Sequence, residues 1–216
     1  MPRSAKTSRS WGQSPSGDSP RPAPHQRSGV LSPGELAARG AVPTKERLAA
    51  GPVVMVECIE NIPCNPCAYA CPRKAITIEG ELTDIPQVDF SKCNGCALCI
   101  SKCPGLAIFV VHKDFSKTEA AVTMPYELLP RPEIGARVAC LDRAGREVCR
   151  GRVVKVIDTK ALNRCAVVTV AVPKRYWNVV RAIRRPGTRS GLPERNEARA
   201  APKVMPVMSR GRKGAE

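Results

Sequence analysis

The sequence predicts an α+β chain: a duplicated β-α-β domain rich in cysteine, then a small all-β barrel of SH3-like type, with disordered N- and C-terminal arms. Three observations carry this. Eight of the eleven cysteines fall in two runs that repeat at one offset, Val-rich segments divided by turn residues follow from about residue 126, and both ends are crowded with Pro, Gly, Ser and Arg. A recurring loop pattern marks one unit used twice. Short β-branched runs between turn residues mark strands, and ends so poor in apolar side chains cannot offset the entropy of ordering.

The 216 residues suffice for one or two small domains. Residues 1–30 form the first expected arm, rich in Ser, Pro and Arg with one acid, Asp18. Prolines 15, 20, 22 and 24 discourage the amphipathic helix of an organelle transit peptide, and no apolar secretory h-region precedes them. Residues 31–51 read as a short helical lead-in. Ser32-Pro33-Gly34-Glu35 has the form of a capping box with Pro at the first helical position, giving a helix over 33–39 stopped at Gly40. A second helix over 44–50 stops at Gly51-Pro52. Both are too short to persist unless packed on something.

The cysteine-rich domain is expected over 52–125. Strands over 53–56 and 75–79 flank the first cysteine run, and strands over 88–90 and 107–112 flank the second, with Glu79-Gly80-Glu81 turning between the halves. A linker over 126–132 leads into the barrel domain, 126–185, with strands over 135–141, 147–157, 165–172 and 178–184 and a turn at Asp142-Arg143-Ala144-Gly145. Residues 186–216 form the basic, disordered tail.

The cysteine runs are Cys58-x₅-Cys64-x₂-Cys67-x₃-Cys71-Pro72 and Cys93-x₂-Cys96-x₂-Cys99-x₃-Cys103-Pro104. From Cys64 onward each element returns 32 residues later: 64 and 96, 67 and 99, 71 and 103, Pro72 and Pro104, Ala75-Ile76 and Ala107-Ile108. Closely spaced cysteines let one loop place three thiolates on three corners of an inorganic cube, while a fourth comes from elsewhere. Two such runs ending in Cys-Pro signal two [4Fe–4S] clusters. The competing reading is a zinc ribbon on Cys64, Cys67, Cys93 and Cys96. It leaves Cys71, Cys99, Cys103, both Cys-Pro pairs and the repeat unexplained. An extracellular disulfide framework is disfavoured because no export signal is visible.

Over roughly residues 53–112 the chain resembles the bacterial two-cluster ferredoxins. The resemblance implies the ferredoxin-type duplicated β-α-β fold and interleaved ligands. One cluster would use Cys58, Cys64, Cys67 and Cys103, the other Cys71, Cys93, Cys96 and Cys99. The departure lies at Cys58, which five residues separate from Cys64 where the family has two. The alternative for Cys58 is a buried cysteine at a strand end, leaving a three-iron cluster or an Asp or water as fourth ligand. Pro72 and Pro104 are expected to shape a dry rim, Gly95 to let the backbone approach sulfide, and Tyr69 to shield a cluster from water.

Cys140, Cys149 and Cys165 lack paired spacing and read as small core residues; His25 and His112 have no catalytic partner in view. No catalytic residue is expected, and no Gly-rich phosphate loop supports flavin or nicotinamide binding by the chain itself. No stretch of about 18 apolar residues exists, so no membrane span is expected, and reduced thiols favour the cytoplasm.

The formal charge of +16 divides unevenly: +5 over 1–51, −2 over 52–125, +9 over 126–185 and +4 over 186–216. Two oxidised cubanes with thiolate ligands would take the cysteine-rich segment to about −6. Arg clusters at 150–152 and 181–185 admit a metal-stabilised nucleic-acid-binding module. No aromatic stacking platform or RNA-binding motif accompanies them, which disfavours nucleic acid as a partner.

Electron transfer by a chain that is not itself an enzyme is therefore the expected function. The arms and barrel exceed what a free-standing soluble ferredoxin, the alternative, requires. Glu57-Cys-Ile-Glu-Asn-Ile-Pro-Cys-Asn-Pro-Cys67, with the barrel behind it, resembles the ferredoxin-like small subunit of multi-subunit FAD-dependent amine or proline dehydrogenases. That resemblance implies FAD-bearing partner subunits and an oxidoreductase complex.

Overall fold

The computed structural model describes residues 28–162 and 164–188. The expected arms at 1–30 and 186–216 fall almost wholly outside these residues. The lead-in forms as its capping signals dictate. Helix α1 (Pro33–Ala38) carries a complete capping box: Ser32 Oγ accepts from Glu35 N at 3.2 Å, and Glu35 Oε2 accepts from Ser32 N at 2.8 Å. Helix α2 (Lys45–Ala49) is capped by Thr44, whose Oγ1 accepts from Arg47 N. Leu36 and Leu48 are buried, so each helix is pinned by one apolar anchor.

The architecture is mixed, with few helices and one large antiparallel sheet. Its strands are β1 (Val53–Val56), β4 (Ile108–His112), β5 (Glu119–Tyr126), β6 (Arg137–Leu141), β7 (Glu147–Ile157), β8 (Ala166–Pro173) and β9 (Ala182–Ile183), in the spatial order β1-β4-β5-β8-β7-β6-β9. A two-stranded ribbon, β2 (Ile76–Thr77) with β3 (Gln87–Val88), stands apart. Helix α3 (Pro66–Tyr69) and a 3₁₀ turn at Ile100–Lys102 lie inside the two cysteine runs.

All four residues of β1 are buried, with Val54 and Val56 facing one core cluster and Val53 and Met55 another. Cover on both faces is what an unbroken apolar run requires. The core inside the β-rich half gathers Phe109, Val122, Met124, Val153, Val168, Val170 and Ile183.

Several expected strands change length or place. The strands expected over 75–79, 88–90 and 178–184 shrink to two residues each, because turns claim their ends; Gly80, for instance, takes φ +86°. Strand β5 was not expected at all. It pairs with β4 through Val111↔Val122 and with β8 along its full length, from Glu119↔Pro173 to Tyr126↔Ala166. It therefore ties the cysteine-rich segment to the β-rich segment through one continuous ladder. Tyr126, expected to open a linker, is the last residue of that strand.

Candidate iron–sulfur site

The two cysteine runs are built alike. Val56 pairs with Ile108 on β1 and β4, and Val88 pairs with Ile76 on β3 and β2; each member stands 32 residues from its counterpart. The hydrogen bonds follow the same rule. Glu57 N donates to Ala107 O at 2.8 Å, and Asp89 N donates to Ala75 O at 2.9 Å. Lys74 and Leu106 take matching left-handed conformations, φ +50° and +52°, three residues after Cys71 and Cys103. A non-glycine residue rarely adopts that region, so its recurrence at the same offset is a feature of the loop.

These loops bring the eight cysteines into two quartets. Cys58, Cys64, Cys67 and Cys103 border one cavity of about 590 Å³, which also reaches Val30, Glu57, Phe109, Arg143 and Arg181. Cys71, Cys93, Cys96 and Cys99 border a second, much smaller cavity of about 20 Å³ beside Val54, Ile76 and Val110. Each quartet takes three thiols from one run and one from the other.

The chemistry of the donor set fits a metal–sulfide cage. Burial and the neighbouring Cys103 push the Cys67 thiol up to about 11; burial and Cys93 push Cys99 up to about 12. Burial also raises Cys58, helped by Cys103 and Cys64 and opposed by a hydrogen bond from the Glu60 backbone. A buried thiol among other thiols releases its proton most readily to a cation that takes the proton's place. Backbone donors already address the sulfurs: Ala75 N to Cys71 at 3.2 Å, Ala107 N to Cys103 at 3.4 Å, and both Val54 N and Gly95 N to Cys93 at 3.4 Å. Such N–H···S contacts stabilise negative charge on the cage. Among the described residues no three or more His, Cys, Asp or Glu side chains are arranged to hold a metal ion. The thiols of the first quartet border a volume of a size that suits a multi-iron cage.

One expectation is corrected. Tyr69 is 84 % exposed, so it shields nothing; its place on the outer side of the single turn of α3 turns it to solvent. Gly95, at φ +70°, borders the second quartet's cavity and is also packed on the protein: a Cβ there would stand 2.6 Å from Pro52 Cβ. Cys140, Cys149 and Cys165 are buried in the β-rich half, away from both quartets. Cys140 and Cys149 are direct cross-strand partners, and Cys149 together with burial raises the Cys140 thiol.

Two positioning groups lay outside the sequence reading. Arg47 of α2 spreads its guanidinium over four backbone carbonyls: Phe90 O at 2.8 Å, Gly51 O at 3.3 Å, Pro52 O at 2.9 Å and Cys93 O at 2.6 Å. The lead-in thereby fixes the first cysteine of the second run. Glu57, beside Cys58, is held by Arg143 and Arg181. Burial alone would raise its carboxyl, but the two guanidiniums outweigh burial and hold it below the ordinary carboxylate value. Burial pushes Arg181 down to about 10, which leaves it charged at neutral pH. Sequence spacing gives no signal for either group, since 124 residues separate Glu57 from Arg181.

Residues 57–107 match the family model described as a 4Fe-4S dicluster domain, so this segment is a ferredoxin-type domain and an iron–sulfur electron-transfer module rather than a catalytic unit. Comparison with curated proteins and with solved structures finds no match. No described helix is long and apolar enough to cross a membrane.

Proposed function

We propose that this chain relays single electrons through two [4Fe–4S] clusters, as the electron-transfer subunit of a flavin-dependent dehydrogenase complex. The carrying observation is the pair of interleaved thiol quartets, within a segment that matches a dicluster domain. In this reading Cys58, Cys64, Cys67 and Cys103 hold one cluster, and Cys71, Cys93, Cys96 and Cys99 hold the other. A cubane supplies a one-electron couple. The backbone N–H groups of Val54, Ala75, Gly95 and Ala107 stabilise the charge that reduction adds. Val54, Ile76, Ile100, Ile108 and Val110 form the apolar wall that keeps water from the sulfurs.

The 32-residue symmetry of pairings supports a ferredoxin-type duplication for the cysteine-rich half. Strands β5 to β9 around one apolar core support an SH3-like barrel for the rest. A reduced flavin of a partner subunit is the proposed donor, because two nearby one-electron centres suit a carrier that gives up electrons in pairs. Ile62, Tyr69 and Leu98, half or more exposed on the cysteine loops, supply apolar area for such a partner to cover.

The test is anaerobic purification of the full chain from its native source. A brown protein bleached by dithionite, co-purifying with a flavin-bearing companion in fixed ratio, is expected. A chain free of acid-labile sulfide overturns the electron-relay reading, and a brown monomer with no stoichiometric companion overturns the complex.

A further inference from the structure

Glu57 immediately precedes Cys58, and its carboxylate is 7 % exposed. Arg143 meets it with Nε to Oε2 at 2.8 Å and Nη2 to Oε1 at 2.7 Å. Arg181 adds Nε to Oε1 at 2.7 Å and lays its guanidinium over the Phe109 ring at 5.0 Å. Side-chain exposures of 10 % for Arg143 and 4 % for Arg181 place the whole group out of water. One carboxylate against two guanidiniums leaves one buried positive charge. Both arginines come from the β-rich half, from the turn after β6 and the segment before β9. Yet both border the cavity ringed by Cys58, Cys64, Cys67 and Cys103.

The donors of this group are committed inside the protein. Arg143 also reaches Asn178 O at 2.8 Å and Asn178 Oδ1 at 3.0 Å. Arg181 also reaches Val180 O at 2.6 Å, Trp177 O at 3.3 Å and Asn178 Oδ1 at 2.8 Å. Recruiting a soluble anion would break these bonds. What remains is a fixed field. A charge buried in low dielectric acts on its neighbours with little screening, whereas exposed charges are damped by water and salt. The other charged linings of the two quartets, Glu60 and Arg73, are exposed, and Asp84 is half-buried.

We propose that Glu57, Arg143 and Arg181 set the reduction potential of the first quartet's cluster, so that the β-rich half of the chain governs one cluster and leaves the other alone. The inference rests on the two-cluster reading above. Adding an electron to the first cluster adds one negative charge beside the group. Removing the carboxylate makes the field more positive and favours reduction; removing a guanidinium does the reverse.

The test uses the full chain prepared anaerobically, with iron and sulfide measured first and both potentials then read by EPR during dithionite titration with mediators. Cys58→Ser, which alters the spectrum of the first cluster, assigns the signals. Glu57→Gln is expected to raise the first potential by at least tenfold in the reduction constant, 59 mV for a one-electron couple. Arg143→Met is expected to lower it by a similar factor. Arg143→Lys keeps the charge and is expected to stay near the wild-type value, and it takes the place of Arg143→Met as the reference should the latter fail to fold. The second potential is expected to hold still throughout. Shifts of the same sign in Glu57→Gln and Arg143→Met, equal shifts at both clusters, or no shift overturn the inference while the two clusters stand. Wild-type protein without iron and sulfide overturns the reading beneath it.

Discussion

Ala75 and Ala107 do the same thing 32 residues apart: each directs its backbone N–H at the sulfur of the cysteine four residues before it, Cys71 at 3.2 Å and Cys103 at 3.4 Å. Those two sulfurs are the ones that cross over, Cys71 into the quartet of the second run and Cys103 into that of the first. The crossing follows from antiparallel pairing of β1 with β4 and β2 with β3, which sets the end of each run against the start of the other.

Exchange of the crossing ligands should therefore show in the opposite run. Cys71→Ser is expected to perturb the EPR signal and potential of the cluster bordered by Cys93, Cys96 and Cys99, with the other signal kept. Cys103→Ser is expected to do the reverse. Each variant disturbing the cluster of its own run instead would mean that the ligands are not interleaved.

Metal content tests Cys58. Two complete cubanes give about eight irons and eight sulfides per chain, and loss of one corner gives about seven irons. Wild type is expected at the first figure and Cys58→Ala at the second. A wild-type value near seven would place Cys58 outside the ligand set, despite its position beside Cys64 and Cys103.

Arg47→Met removes four carbonyl contacts from a half-buried guanidinium while keeping an apolar stem of similar length. Carbonyls that lose a charged donor away from water cost about 1–3 kcal/mol. The variant is expected to melt lower and to lose the cluster of the second quartet first on exposure to a chelator, because Cys93 O is among the freed groups. Equal loss rates for both clusters would reduce Arg47 to a general stabiliser.

How much the sequence disclosed follows from which forces act locally. Ser32 and Glu35 cap α1 within one turn, and β7 occupies residues 147–157 as expected, because capping and β-branched runs are local signals. The two cysteine runs were legible because their spacing repeats, while their grouping into quartets came from the resemblance to two-cluster ferredoxins. Strand β5 was not, since Ala-Ala-Val-Thr-Met-Pro has weak strand preference and ends in a residue without an N–H. The fold tolerates Pro125 because the ladder to β4 stops at Thr123, two residues before it. Glu57, Arg143 and Arg181 were illegible for another reason: their bond is made by tertiary packing alone.

The remaining cysteines should prove structural. Cys140→Ala, Cys149→Ala and Cys165→Ala are expected to keep full iron content, each costing about 1 kcal/mol of stability for the lost packing. Loss of iron in any of them would give the β-rich half a metal role.

Gly95 separates backbone strain from steric exclusion. Its φ of +70° penalises any side chain, and an added Cβ would stand 2.6 Å from Pro52 Cβ and 2.9 Å from the Pro52 carbonyl carbon. Pro52 leads directly into β1, whose four residues are locked to β4, so the backbone there has little freedom to yield. Left-handed strain alone costs about 1–2 kcal/mol, and overpacking adds about 1–3 kcal/mol. Gly145 supplies the control, with φ +76° and open space around the added carbon. Gly95→Ala is expected to melt well below Gly145→Ala and to lose the second cluster, because the Gly95 N–H that reaches Cys93 moves with the loop. Equal melting temperatures with both clusters intact would show that the loop shifts away from Pro52 without disturbing the thiols.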